Sequence, residues 1–184
     1  GSVAEARAAV KAGAEGIGLF RTEICFLDAA VEPDLEQQFT TYRDALAQFS
    51  GRRAVVRTLD AGSDKPMPFL TIPGEENPAL GVRGYRTTLR SPGVLTRQLE
   101  AIARAARVSE TEVWVMAPMI STPTEAAEFA DLAHAAGLER GDGGDSFSRT
   151  PGGGDPHHCG LRQHRNQRPR PVHDGHRPPG NGPG

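Results

Sequence analysis

Apolar positions along the chain alternate between two spacings, and each change of spacing marks a new element. Ser2 is placed to cap a short helix running through Lys11, with Gly13 as its stop. Gly16–Phe20 (GIGLF) is a brief apolar run read as a strand, ending in Arg21-Thr22-Glu23. From Asp34 to Phe49 the apolar residues Leu35, Phe39, Tyr42, Leu46 and Phe49 recur at steps of three and four, which predicts a helix with one buried stripe. Ala54–Leu59 is apolar and β-branched and predicts the next strand. Glu75–Arg90 reads as a loop passing into a helical turn, entered at Asn77-Pro78.

Ser91-Pro92 gives a cap followed by proline at the first helical position. Val94, Leu95, Leu99 and Ile102 form the next stripe, ending near Arg107. Glu112–Ala117 (EVWVMA) is a third strand. Thr122-Pro123-Thr124-Glu125 is a capping box for a helix reaching Ala136 and stopped by Gly137. Strands alternating with helices are the rhythm of parallel βα units. The expected class is α/β, and periodicity leaves both a doubly wound sheet and a TIM barrel open.

Composition divides this chain. Residues 1–139 carry 14 Lys+Arg against 19 Asp+Glu, whereas 140–184 carry 7 against 4, so an acidic piece precedes a basic one. The second segment holds half of the 22 glycines and five of the six histidines but few apolar anchors, so it is expected to be a disordered, Gly/Pro-rich tail. The first is large enough to bury a core. Neither a signal peptide nor an apolar run long enough to span a bilayer is visible, so no membrane association is expected. Cys25 and Cys159 make no disulfide framework, which suggests a reducing cytoplasm. The chain opens on a helical pattern without Met, as a piece of a longer protein would. His157, His158, Cys159, His164, His173 and His176 fit no standard zinc spacing, so no metal site is assigned. The tail lacks aromatics interleaved with its arginines, and nucleic acid is not expected as a partner.

Candidate chemistry lies where the strands end. Arg21 follows the first strand, Arg57 closes the second, and Arg83 lies in the connection after it. In parallel α/β architectures functional groups gather at the carboxyl ends of strands. Three guanidinium groups meeting at one mouth repel unless an anion sits among them, and arginine forks suit carboxylate and phosphate. A small phosphorylated acid is the natural guest. The plainer reading is that each arginine pairs locally with Glu23, Asp60, Glu75 or Glu76.

Four ordered motifs, GIGLFRTE, VVRTLDAGSDKP, ENPALGVRGYR and VWVMAPMI, resemble the phosphoenolpyruvate-binding barrel of Enzyme I. That family is the phosphoenolpyruvate–protein phosphotransferases of bacterial sugar uptake. The resemblance covers Gly1 to about Glu139 and implies a partial TIM (β/α)8 barrel of about three βα units. Dikinases and phosphoenolpyruvate synthases share the first and third motifs, and a fragment of one of these is the alternative; the RTLDxGxDK form favours Enzyme I. Ser63 stands where the family often has glycine. By resemblance, Arg21 and Arg57 match the arginines that grip the phosphate, and Arg83 matches another substrate-site arginine, with Arg86 close by. The resemblance further implies magnesium, transfer to an enzyme histidine and on to a histidine-containing phosphocarrier protein, and a homodimer. The family's phosphohistidine, magnesium ligands and proton-donating cysteine are not found, so this chain alone is expected to be inactive. Cys25 lies outside the cysteine motif and reads as a small packed side chain.

Codon logic offers an origin for the tail. Gly141–Ser146, read one base later, admits VMVEIP, and Gln163–Pro178 admits SIGTNDLAQYTMATDR, two Enzyme I motifs in order. The expectation is therefore an out-of-frame translation beginning near Glu139–Arg140, and with it a possible product without function. A non-catalytic module that binds anions or a partner chain is the other alternative.

Overall fold

The computed structural model describes residues 2–26, 29–61, 67–70 and 81–138, and the backbone of 159–162. The elements are α1 (Val3–Lys11), β1 (Gly16–Arg21), α2 (Leu35–Leu46), β2 (Arg53–Arg57), α3 (Pro92–Ser109), β3 (Glu112–Ala117), α4 (Pro123–Ala135) and β4 (Cys159–Arg162). Three helices start on reciprocal capping boxes, Ser2 with Glu5, Asp34 with Gln37 and Thr122 with Glu125. Ser91 departs from expectation and makes no side-chain cap. Pro92 has no N–H to satisfy, and the carbonyl of Ser91 accepts the Val94 N–H instead. The end of α3 is two residues later than expected, closed by Glu110 in the left-handed region at φ 54°.

The sheet order is β1-β2-β3-β4, with β1, β2 and β3 parallel, and each helix packs on the next in chain order. The described fold is α/β. Phe20, Ala54, Val56, Val113, Val115 and Ala117 face the helices and are buried with Tyr42, Leu46, Leu99, Ile102 and Phe129 in one core. Tyr42 centres it, with the rings of Phe20 and Phe26 edge-on at 6.4 Å. The buried stripe of α2 is rotated from the expected one. Gln38, Tyr42, Ala45 and Leu46 are buried, while Leu35 and Phe39 are only half-buried. Phe39 carries the guanidinium of Arg104 at 4.6 Å from its ring centre, which uses its face without sealing it in the core.

β1 carries an irregularity with consequences for the site. Ile17 pairs with Ala54, and Phe20 with Val56, so β1 has one extra residue between these pairs. Strict alternation would put Ile17, Leu19 and Arg21 on one face. The bulge instead turns Phe20 inward, leaves Leu19 42% exposed, and sets Arg21 opposite Arg57.

β2 ends at Arg57, earlier than the expected Leu59, although Thr58 N–H still donates to the Met116 carbonyl. Four residues of the segment expected to lack structure, Cys159–Arg162, pair antiparallel with β3 as β4. An open edge of unpaired backbone groups on β3 accepts any extended segment that reaches it. The remaining expectations for 140–184, the histidine cluster and the frame change included, lie outside the described residues, as do Glu75 and Glu76.

Candidate functional site

The carboxyl ends of β1 and β2 lie side by side, and the chain turns sharply at both. After β1, the 3-10 turn Thr22–Phe26 carries Glu23 to a position only 1% exposed. After β2, Asp60 is also buried. A buried carboxylate is costly unless paired. Here the partners are the arginines. Arg57 Nη2 donates to Glu23 Oε1 at 2.5 Å and lies 3.4 Å from Asp60 Oδ2. Arg83 approaches the same carboxylate as a fork, with Nε on Oδ1 at 2.8 Å and Nη2 on Oδ2 at 3.3 Å.

Two of the three candidate arginines therefore converge on one carboxylate. The local pairing of the plainer reading is real, but it draws Arg57 and Arg83 together. Arg21 stands in register beside Arg57, about 4.8 Å away along the ladder. Its side chain is exposed and makes no hydrogen bond or ion pair with the described residues. Arg57 and Arg83 thus meet Glu23 and Asp60, while the charge of Arg21 is felt at Glu5 on α1. Arg57 Nε is buried and has no hydrogen-bond partner among the described residues.

Arg83 is held by the segment that follows it. Gly84 has φ 57°, and a Cβ there would meet the Pro118 carbonyl oxygen at 2.7 Å, so glycine alone allows this approach. The Tyr85 N–H donates to that same carbonyl at 3.0 Å, and the Tyr85 hydroxyl donates to Glu128 on α4 at 3.0 Å. Burial first, and then the bond to Glu128, push the Tyr85 phenol up to about 12. Arg86 turns away from Asp60, donating to the Gly81 carbonyl and to Ser121 Oγ. Of the two neighbouring arginines, Arg83 is the one beside Asp60.

The sequence offers Glu23 and Asp60 as local partners of the arginines, and in the structure they hold Arg57 and Arg83 at one place. The available signal was their position, two and three residues past the ends of β1 and β2 and each followed by an apolar residue. Cys25 is half-buried against the core, and burial pushes its thiol up to about 11, away from the reactive thiolate. It borders a cavity of about 340 Å³ between the segment after β1 and α2, also lined by Phe26, Val31, Pro33, Gln38 and Thr41; none of the three arginines lines it. No group of three or more potential metal ligands gathers among the described residues. Likewise, no helix among them is long and apolar enough to cross a membrane.

Comparison with known proteins gives a consistent result. The family described as PEP-utilising enzyme, PEP-binding domain, matches residues 1–146. A phosphoenolpyruvate-protein phosphotransferase of Streptomyces coelicolor is 54% identical over 139 residues, which is 75% of this chain and 25% of that protein. One from Haloferax volcanii is 47% identical over 127 residues, 68% of this chain and 22% of its own length. A multiphosphoryl transfer protein of Rhodobacter capsulatus is 41% identical over 139 residues, 76% of this chain and 17% of that protein. The chain thus spans a quarter or less of the length of these relatives.

Proposed function

The chain belongs to the PEP-utilising enzymes as part of their PEP-binding domain, and from that premise we propose that Arg21, Arg57 and Arg83 bind phosphoenolpyruvate. The observation that carries this reading is the convergence of Arg57 and Arg83 on Asp60, with Arg21 in register alongside. Carboxylates that hold arginine forks in place spare the ligand the cost of ordering them. A phosphate dianion then meets guanidinium groups that are already ordered by Glu23 and Asp60.

Around this seat the rest of the reaction is assembled from elsewhere. In our reading the phosphoryl group passes from phosphoenolpyruvate to an enzyme histidine and then to a phosphocarrier protein, the first step of cytoplasmic sugar uptake. Positive charge at the phosphate stabilises the transferring group. Magnesium would neutralise further charge there. Glu23 and Asp60 are engaged by arginines and make a poor set of metal ligands, so the metal is assigned to neither of them. Consecutive parallel strands in sequential order, with successive helices packed together, support a partial TIM barrel. The names of the relatives favour a phosphotransferase over a dikinase.

The test is a calorimetric titration of the purified chain with phosphoenolpyruvate. Binding should be lost with Arg57→Ala, and absence of binding to the unaltered chain overturns the reading. The same chain should fail to phosphorylate the carrier protein; transfer would show that it is active alone. The out-of-frame origin of 140–184 is proposed with it and is decided by the nucleotide sequence across the codon for Arg140.

A further inference from the structure

Gln98 sits in the middle of the apolar stripe of α3, one turn from Val94 and one from Ile102, and is 1% exposed. A carboxamide there costs free energy unless its hydrogen bonds are made, and a leucine or methionine would fill the volume without that cost. All of its strong bonds are made. Oε1 accepts from the Leu59 N–H at 2.9 Å, while Nε2 donates to Thr22 Oγ1 at 3.1 Å and to the Tyr42 hydroxyl at 2.9 Å. The Leu59 N–H can only donate, which fixes the orientation of the amide. Thr22 passes the connection on, its hydroxyl donating to the Arg57 carbonyl at 2.7 Å.

Two of its three partners neighbour residues of the anion site; the third, Tyr42, belongs to the core. Thr22 lies between Arg21 and Glu23, its hydroxyl holds the backbone of Arg57, and Leu59 precedes Asp60. One side chain on α3 thus clamps the turns after both strands from the core side. Buried polar networks that are fully satisfied rigidify what they join.

We propose that Gln98 is the positioning residue of the anion site: it sets the turns after β1 and β2 so that Arg21, Arg57, Glu23 and Asp60 stand in register. This rests on the reading that the arginines form a binding site, and it assigns to α3 the task of preorganising them.

The experiment compares Gln98→Met with Val94→Ala in the full 184-residue chain. Methionine keeps the length and loses every bond, while Val94→Ala loosens the same helix without touching the network. Two quantities are read: the nitrogen resonance of Arg57 Nε in the free protein, and the affinity for phosphoenolpyruvate. Gln98→Met should shift and broaden the Arg57 resonance and weaken binding by roughly 10- to 100-fold, the range for supporting residues around a site. Val94→Ala should do neither.

Equal effects of the two variants on the resonance and on affinity would overturn the proposal. If Gln98→Met does not fold, Thr22→Val replaces it, and Thr22→Ser should restore both readings; failure of that contrast is equally fatal. If the unaltered chain does not bind phosphoenolpyruvate, the functional reading falls. The Arg57 resonance then decides the role of Gln98 alone.

Discussion

β2 carries an arginine at each end, on the same face of the sheet, and the two live under opposite rules. At the amino end Arg53 lies 3.5 Å from Glu112, its side chain 56% exposed, and rests on the ring of Trp114. At the carboxyl end Arg57 meets Glu23 at 2.5 Å with the two side chains 13% and 1% exposed, and shares Asp60 with Arg83. Water screens the first pair, which contributes little. The second keeps charge out of water at a cost that packed apolar residues would avoid. A fold that needed only stability would keep the first arrangement at both ends. The expense is concentrated at the end where parallel sheets carry their chemistry.

The sharpest way to break this contrast is to remove one buried charge. Glu23→Ala should leave Arg57 without its closest partner and cost about 3–5 kcal/mol in denaturant unfolding. A loss below about 1 kcal/mol would place that end of β2 under the same rules as the other. Gly84→Ala should cost about 1–3 kcal/mol, because the added Cβ strains a left-handed residue against the Pro118 carbonyl. It should also weaken phosphoenolpyruvate binding by moving Arg83, which a titration of the variant would read.

The tether through Tyr85 predicts a pH effect. Its phenol is raised to about 12 from the ordinary 10, so the fold favours the neutral form. That contribution is complete below pH 10 and is lost as pH climbs through 12. Tyr85→Phe should flatten the decline between those limits in unfolding curves, and an unchanged decline would assign it to other groups. The smallest effect belongs to Arg53→Ala, about 0–1 kcal/mol and smaller still in high salt. A larger loss would mean that Arg53 supports Trp114 by packing as much as by charge.

Much of the scaffold was legible in the letters. Ser2 and Thr122 announced their helices because a cap bonds within three residues of itself. The β3 strand was read to its ends from EVWVMA. Ser91 misled because proline changes which backbone donors need a partner, a detail its neighbours settle through the turn before it. Gln98 was passed over as one polar letter within an apolar stripe. Such a residue carries information only when its partners, 39 to 76 positions away, are known.

By itself the sequence determined the order of elements from α1 to α4, where those helices start and which residue types could gather at the strand ends. These depend on contacts along one turn or one strand, and short-range hydrogen bonds and side-chain spacing suffice to state them. Only the tertiary structure decided that β1 bulges between Ile17 and Phe20, which turns Arg21 toward the face of Arg57, and that Asp60 is shared by Arg57 and Arg83. Register between strands is a relation between distant segments. A slip of one residue reverses every side chain, and only packing against the helices selects the outcome.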